Sequence, residues 1–350
     1  MKPGYLILET GEIFKGKIIG NKNVPVFGEV VFNTSMTGYQ EIMTDPSYAG
    51  QIVVFTYPLV GNYGIDEKFS ESLQVHANAI VVKELEMESN PLDKTNSLLS
   101  MIEKFNLPCL IDVDTRQLVR SIREKGTVQG IISDRLTTPL YFQKNVNLLN
   151  KVTTKSVTTY EKKGPHILLL DFGYKKSILD YLLDVKKCKV TVVPYFYPIE
   201  KIHELKPDGV VISNGPGNPM TARDQFEKIR QITEVYPTLG ICLGHQLIAL
   251  AYGLKTKKLL FGHRGGNHPV KDLETDKVYM TSQNHGYVVE DFSINESEFE
   301  IAFINVNDGT IEGLRHKRKP IITVQFHPEG HPGPLDTEFV FDHFLQSIIY

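Results

Sequence analysis

The sequence predicts an α/β protein in two parts: an open, mostly parallel sheet with helices on both faces over residues 151–350, and a smaller β-rich α/β domain over residues 1–150. Two observations in the second part carry this. Residues 166–171 (HILLLD) hold a continuous apolar run, the pattern of a strand covered on both faces. Ile178, Leu179, Leu182 and Leu183 then recur at helical spacing, followed by further strand-like runs at 190–193 and 209–213 (GVVIS). Strand, helix and strand in so short a space imply a right-handed crossover and parallel pairing, and such sheets carry their sites in loops at the carboxyl ends of the strands. The third observation is the contrast upstream. Residues 5–8, 13–19 and 26–32 are short β-like segments broken by Gly11, Gly20 and Pro25, and helical spacing appears only later, near 98–105 and 117–123. Residues 136–165, rich in Thr, Asn and Lys and without strong periodicity, are expected to link the halves. There is no internal repeat and no low-complexity tract.

Length and composition agree with this division. At roughly 150 residues per domain, 350 residues fit two domains. A hydrophobic fraction of 41% and a charged fraction of 23% are ordinary for a soluble globular protein. A net charge of -3 gives no general attraction to nucleic acid or to acidic membranes, and the run Lys317, Arg318, Lys319 reads as an exposed turn. The apolar stretch of MKPGYLILETGE is cut by Glu9 and Glu12, so no signal peptide is expected, and no run approaches the ~18 apolar residues of a membrane span. Cys109, Cys188 and Cys242 are too few and too scattered for a disulfide framework or a thiolate zinc site. A reducing cytoplasmic location is expected, with no metal in this chain.

The most informative stretch is Gly240-Ile241-Cys242-Leu243-Gly244-His245-Gln246, the G-x-C-x-G form of a nucleophile elbow, followed by a helical run that Gly253 can stop. A side chain raised on a sharp strand-to-helix turn forces strained backbone angles and close contacts. Residues without a Cβ at the flanking positions relieve those contacts. The helix amino terminus behind Cys242 favours a thiolate, and its free amides can stabilise an oxyanion. The competing reading is a buried cysteine in a glycine-flanked turn. Cys109 and Cys188 lack this context and read as structural thiols.

A thiol nucleophile needs a base, and the base needs a third group to fix its tautomer. Residues 321–326 (IITVQF) read as a strand, and His327-Pro328-Glu329 follows. Pro328 keeps the chain extended, so residues two apart project to the same side, and Glu329 can reach Nδ1 of His327 while Nε2 is left for the thiol. Among the rivals, His245 reads as a packing or hydrogen-bonding residue and His285 as a weaker candidate base. His327 and His331 have a metal-like spacing, but Pro328 and Pro332 argue against a helix presenting both.

Ser213-Asn214-Gly215-Pro216-Gly217-Asn218-Pro219 follows the GVVIS strand. It lacks both the P-loop pattern and the third glycine of a dinucleotide fingerprint, so a loop bringing backbone amides to a small anionic intermediate fits better. NGPG, GICLGHQ and HPE, in this order, resemble the class I (triad) glutamine amidotransferases. GEVVFNTSMTGYQEIMTDPSYAGQIV, TYPLVGNYG, DVDTRQLVRSIREKG, DFGYKKSILDYL, FGHRGGNHPV and SQNHGYVV extend the resemblance over essentially the whole chain, to the small subunit of carbamoyl-phosphate synthase.

The resemblance implies that Cys242 is the nucleophile, His327 the base and Glu329 its orienter. It implies glutamine contacts from Ser47, Gly215, Gly217, Leu243, Gln246, Asn284, Gly286 and Tyr287, with the amides of Gly215 and Leu243 as oxyanion hole. Tyr287 stands where phenylalanine is common, and HPEGHPGP replaces a more usual HPEA start. The chain shows no ATP-binding motif. The resemblance places ATP, a divalent metal and bicarbonate on a large-subunit partner that consumes the ammonia. The alternatives are the glutaminase of a different synthetase, against which the TSMTGYQE domain argues, a non-catalytic interaction subunit, and a stand-alone thiol peptidase or γ-glutamyl hydrolase.

Overall fold

The computed structural model describes residues 1–20, 24–87, 97–136, 147–291, 294 and 298–349. The chain divides into two compact units, Met1–Val146 and Asn147–Tyr350.

In the first unit seven strands close into a barrel. Lys2–Leu8, Ile13–Ile19, Cys109–Ile111, Ala79–Val81, Gln51–Phe55, Val26–Asn33 and Val128–Ser133 follow one another round the wall, and the last pairs back to the first. Closure removes the exposed edges a sheet of this size would otherwise present. The sequence reading finds three of these strands and does not find the closure. Helices Leu98–Lys104 and Thr115–Lys125 form where helical spacing predicts them. Each starts on a side-chain cap, Ser97 to the Ser100 amide and Asp114 to the Gln117 amide.

The second unit is built on a mixed sheet. Among the described residues ten strands take part. Five central ones run parallel, in the order Lys189–Pro194, His166–Asp171, Gly209–Ile212, Thr238–Ile241 and Ile321–Val324. Antiparallel strands extend both ends, including the long pair Thr256–Asp272 and Val278–Val289. The apolar run at 166–171 is buried on both faces: Leu168 and Leu170 belong to one core, with Ile229, Leu247 and Ile248, while Ile167 and Leu169 belong to the other, with Leu182, Phe341 and Phe344. Each such side chain contributes about 1.5–3 kcal/mol by leaving water.

The expected linker is corrected in part. Residues 137–146 lie outside the described ones, but from Asn147 onward the chain packs into the second unit. Leu149 of the short helix Leu149–Val152 joins the core, and Thr158–Tyr160 pairs antiparallel with Lys189–Pro194. One turn of helix and one three-residue edge strand with exposed side chains are too short to register as periodicity. Among the described residues no helix is long and apolar enough to cross a membrane.

Candidate active site

Four neighbouring parallel strands end on the same edge of the sheet, and each delivers part of one site. Thr238–Ile241 leads into Cys242, Gly209–Ile212 into Asn214 and Gly215, His166–Asp171 into Lys175, and Ile321–Val324 into His327 and Glu329. Parallel pairing therefore gathers residues that are far apart in the chain.

Cys242 sits at the start of the helix Leu243–Ala251 with φ 54° and ψ -102°, a backbone conformation that costs a non-glycine residue about 1–3 kcal/mol. Its surroundings hold it there. The Cys242 amide donates to the Val324 carbonyl at 2.8 Å, and the Gly244 amide to the Ser213 carbonyl at 3.1 Å. The flanking glycines are required by contact: a Cβ on Gly244 would lie 2.1 Å from the Ile212 carbonyl oxygen, and one on Gly240 2.9 Å from the Gly244 backbone. At the other end of the helix Gly253 takes φ +81°, which stops it.

The thiol of Cys242 is buried and points to the Asn284 carbonyl, 3.7 Å away. His327 and Glu329 face each other with Nδ1 and Oε1 2.8 Å apart, and the His327 amide bonds the Ser282 carbonyl at 2.9 Å. The strand preceding them ends at Val324, two residues earlier than the apolar run suggests; beyond it Gln325 still bonds the Glu312 carbonyl, and His327 turns to an isolated bridge with Ser282. Burial, and to a lesser degree Lys175, work against a charged imidazole, but the Glu329 carboxylate and contact with Cys242 together outweigh them, and the His327 pKa lies above its ordinary value. Burial alone would push Glu329 up, yet Lys175 and then His327 pull it down to about 2. With Nδ1 engaged by Glu329, Nε2 is the nitrogen left for the thiol.

Lys175 is the member that sequence reasoning missed. Its Nζ donates to Glu329 Oε1 at 2.9 Å and to the Gly330 carbonyl at 2.7 Å, and both charged side chains are buried. A turn places it: the Asp171 carboxylate accepts from the amides of Gly173 and Tyr174, and the Lys175 amide donates to Asn214 Oδ1 at 3.2 Å. The only signal in the sequence was its place in DFGYKKSILDYL just past a strand end.

Gly215 and Leu243 are neighbours, since a Cβ on Gly215 would lie 2.8 Å from the Leu243 side chain and 2.4 Å from the Phe172 carbonyl oxygen. Gly217 takes φ +89°, a conformation that suits glycine. Gln246 donates both to the Tyr287 carbonyl at 2.8 Å and to Gln325 Oε1 at 2.9 Å, which ties the elbow helix to the strand carrying Asn284, Gly286 and Tyr287. Its own Oε1 can then only accept. Ser47 lies in the first unit, buried in the turn Pro46–Tyr48 with its amide donating to Asp45 Oδ1 at 2.8 Å.

The rival histidines have other partners. His245 Nδ1 lies 2.8 Å from Thr323 Oγ1, and burial drives its pKa down to about 3. His285 meets the Tyr287 carbonyl at 2.9 Å with one nitrogen and Gln283 Oε1 at 3.0 Å with the other. His263, His285 and Glu312 bring donor atoms within 4.8 Å of one another, a cluster able to hold a metal. His263 also lies 2.9 Å from Asp308, and Glu312 accepts from Gln283 at 3.0 Å.

Comparison with known proteins adds the following. Residues 168–347 match the model of glutamine amidotransferase class-I, and residues 6–132 match that of the carbamoyl-phosphate synthase small chain, CPSase domain. The carbamoyl phosphate synthase arginine-specific small chain of Geobacillus stearothermophilus is 51% identical, over 98% of this chain and 97% of that one. Its arginine-specific counterpart in Bacillus subtilis is 49% identical over 99% and 97%, and the pyrimidine-specific small chain of the same organism 46% identical over 98% and 95%.

Proposed function

The chain belongs to the carbamoyl-phosphate synthase small-chain family, with a class-I glutamine amidotransferase domain, and on that premise we propose that Cys242, His327 and Glu329 carry out its glutamine hydrolysis. The observation that carries the assignment is the strained, buried Cys242 at the strand end beside a His327 whose Nδ1 is fixed by Glu329. The Cys242 thiolate attacks the side-chain amide carbon of glutamine, and the oxyanion is held by the amides of Leu243 and Gly215. His327 gives a proton to departing ammonia, leaving a glutamyl thioester. The same histidine then takes a proton from water, which attacks the thioester and releases glutamate. Lys175 and His327 share Glu329 Oε1, so the carboxylate stays charged and the His327 ring is held in one orientation.

Gly217, Gln246, Asn284, Gly286 and Tyr287 complete the glutamine contacts in this reading, and Ser47 is retained among them on its TDPSY match. A small chain implies a large-chain partner. The ammonia passes to that partner, which supplies the ATP and divalent-metal sites and makes carbamoyl phosphate from bicarbonate, with no cofactor in this chain.

Cys242→Ser tests the reading. In the complex it abolishes glutamine-dependent synthesis and leaves ammonia-dependent synthesis in place, because a hydroxyl is a far weaker nucleophile at neutral pH. Equal loss of both in a folded complex overturns it.

A further inference from the structure

A ring of polar contacts lies behind the strand that faces Cys242. Glu312, wholly buried on the strand Ile311–His316, accepts from Gln283 Nε2 at 3.0 Å, and Gln283 Oε1 lies 3.0 Å from His285 Nε2. His285 Nδ1 lies 2.9 Å from the Tyr287 carbonyl, which accepts from Gln246 Nε2 at 2.8 Å. Gln246 donates to Gln325 Oε1 at 2.9 Å, and the Gln325 amide returns to the Glu312 carbonyl at 2.8 Å. Six residues, from two strands, the elbow helix and Gln325 just past the strand Ile321–Val324, thus run from the Glu312 carboxylate back to the Glu312 backbone carbonyl. The ring encloses the backbone of residues 283–287, whose Asn284 carbonyl meets the thiol.

We propose that Glu312 is a positioning residue for glutamine binding: through this ring it sets where Asn284, Gly286, Tyr287 and Gln246 present their groups to the substrate. An apolar side chain would fill this buried position at lower cost than a carboxylate. The charge is instead supported on its far side, where His263 Nδ1 lies 3.4 Å away and Asn305 Nδ2 donates at 3.2 Å. His263 is itself held by Asp308 at 2.9 Å. A supported carboxylate fixes the Gln283 amide, and a fixed amide fixes the His285 ring. The Tyr287 carbonyl then has the His285 ring and the Gln246 amide in set places. Glu312 reaches no reacting atom in this scheme, so its loss weakens substrate binding and spares the chemistry.

The inference rests on the reading of the site given above, and the test separates the two. Glutamine hydrolysis is measured in the full complex for Glu312→Leu, Glu312→Gln and Cys242→Ser. Glu312→Leu raises KM for glutamine about tenfold while kcat stays within about threefold, and Glu312→Gln, which keeps an acceptor, lies between it and the parent. Inactivation by a diazoketone analogue of glutamine slows in step with KM, whereas alkylation of Cys242 by iodoacetamide keeps its parent rate. If Glu312→Leu fails to fold, Gln283→Leu cuts the ring at the next residue and shows the same split. An unchanged KM, or a fall in kcat alone, in a folded ring variant overturns the positioning role while an inactive Cys242→Ser leaves the site reading intact. Parent-like hydrolysis by Cys242→Ser overturns the site reading itself.

Discussion

Replacing Lys175 by methionine removes one charge from a pair that is almost completely out of water. The Lys175 and Glu329 side chains are 3% and 0% exposed, and their charged atoms are 2.9 Å apart. Solvent screening therefore gives little relief, and deleting one partner of such a pair costs about 3–5 kcal/mol, because the other charge stays buried with less compensation. The Gly330 carbonyl loses its donor in the same step. For a unit the size of Asn147–Tyr350, at about 2–4 °C per kcal/mol, the melting temperature falls by about 6–20 °C. Adding Glu329→Gln removes the second charge. The double variant regains at least about 2 kcal/mol over Lys175→Met alone, while remaining a poor glutaminase because the orienting carboxylate is gone. Urea denaturation and thermal melts of the four proteins measure this cycle. A Lys175→Met chain as stable as its parent, or a double variant no more stable than Lys175→Met, refutes the argument that the pair is held by mutual compensation.

Three further outcomes follow from the same geometry. Glu329→Gln lowers kcat less than His327→Asn, since losing the base removes proton transfer, worth about a hundredfold to ten-thousandfold, whereas losing the orienter disturbs tautomer and position; equal losses in steady-state hydrolysis refute the ranking. Gly244→Ala places a Cβ 2.1 Å from the Ile212 carbonyl oxygen and costs about 1–3 kcal/mol or more through backbone displacement, read by denaturant midpoint, and a neutral result contradicts the packing described. His327 binds its proton more tightly folded than unfolded, so its contribution to stability is fully present below pH 6.5 and is lost as pH rises through about 10; the difference between the parent and His327→Asn narrows over that window in pH-dependent denaturation.

Much of the site was legible because its constraints are local. The elbow glycines act within two residues of Cys242, where a Cβ meets backbone, and that requirement is written as G-x-C-x-G. The contact between His327 and Glu329 needs only an extended chain across Pro328. The apolar run at 166–171 announces a strand buried on both faces for the same reason. Other features join residues that no spacing along the chain connects. Lys175 meets Glu329 across 154 positions, and that pairing exists only because parallel strands bring their carboxyl ends to one edge. Glu312 reads as one more polar residue in IEGLRH until Gln283, His263 and Asn305, from three other strands, meet its carboxylate. The barrel of the first unit depends on the short strands Ala79–Val81 and Cys109–Ile111, whose partners lie elsewhere in the chain. Sequence by itself determined the strained elbow around Cys242, the His327–Glu329 contact and the α/β class, because local sterics and periodicity write them into neighbouring residues. Tertiary structure alone decided which buried charge faces Glu329 and which carboxylate stands behind the 283–287 strand, because the energy of burying a charge depends on partners that only the folded sheet brings into contact.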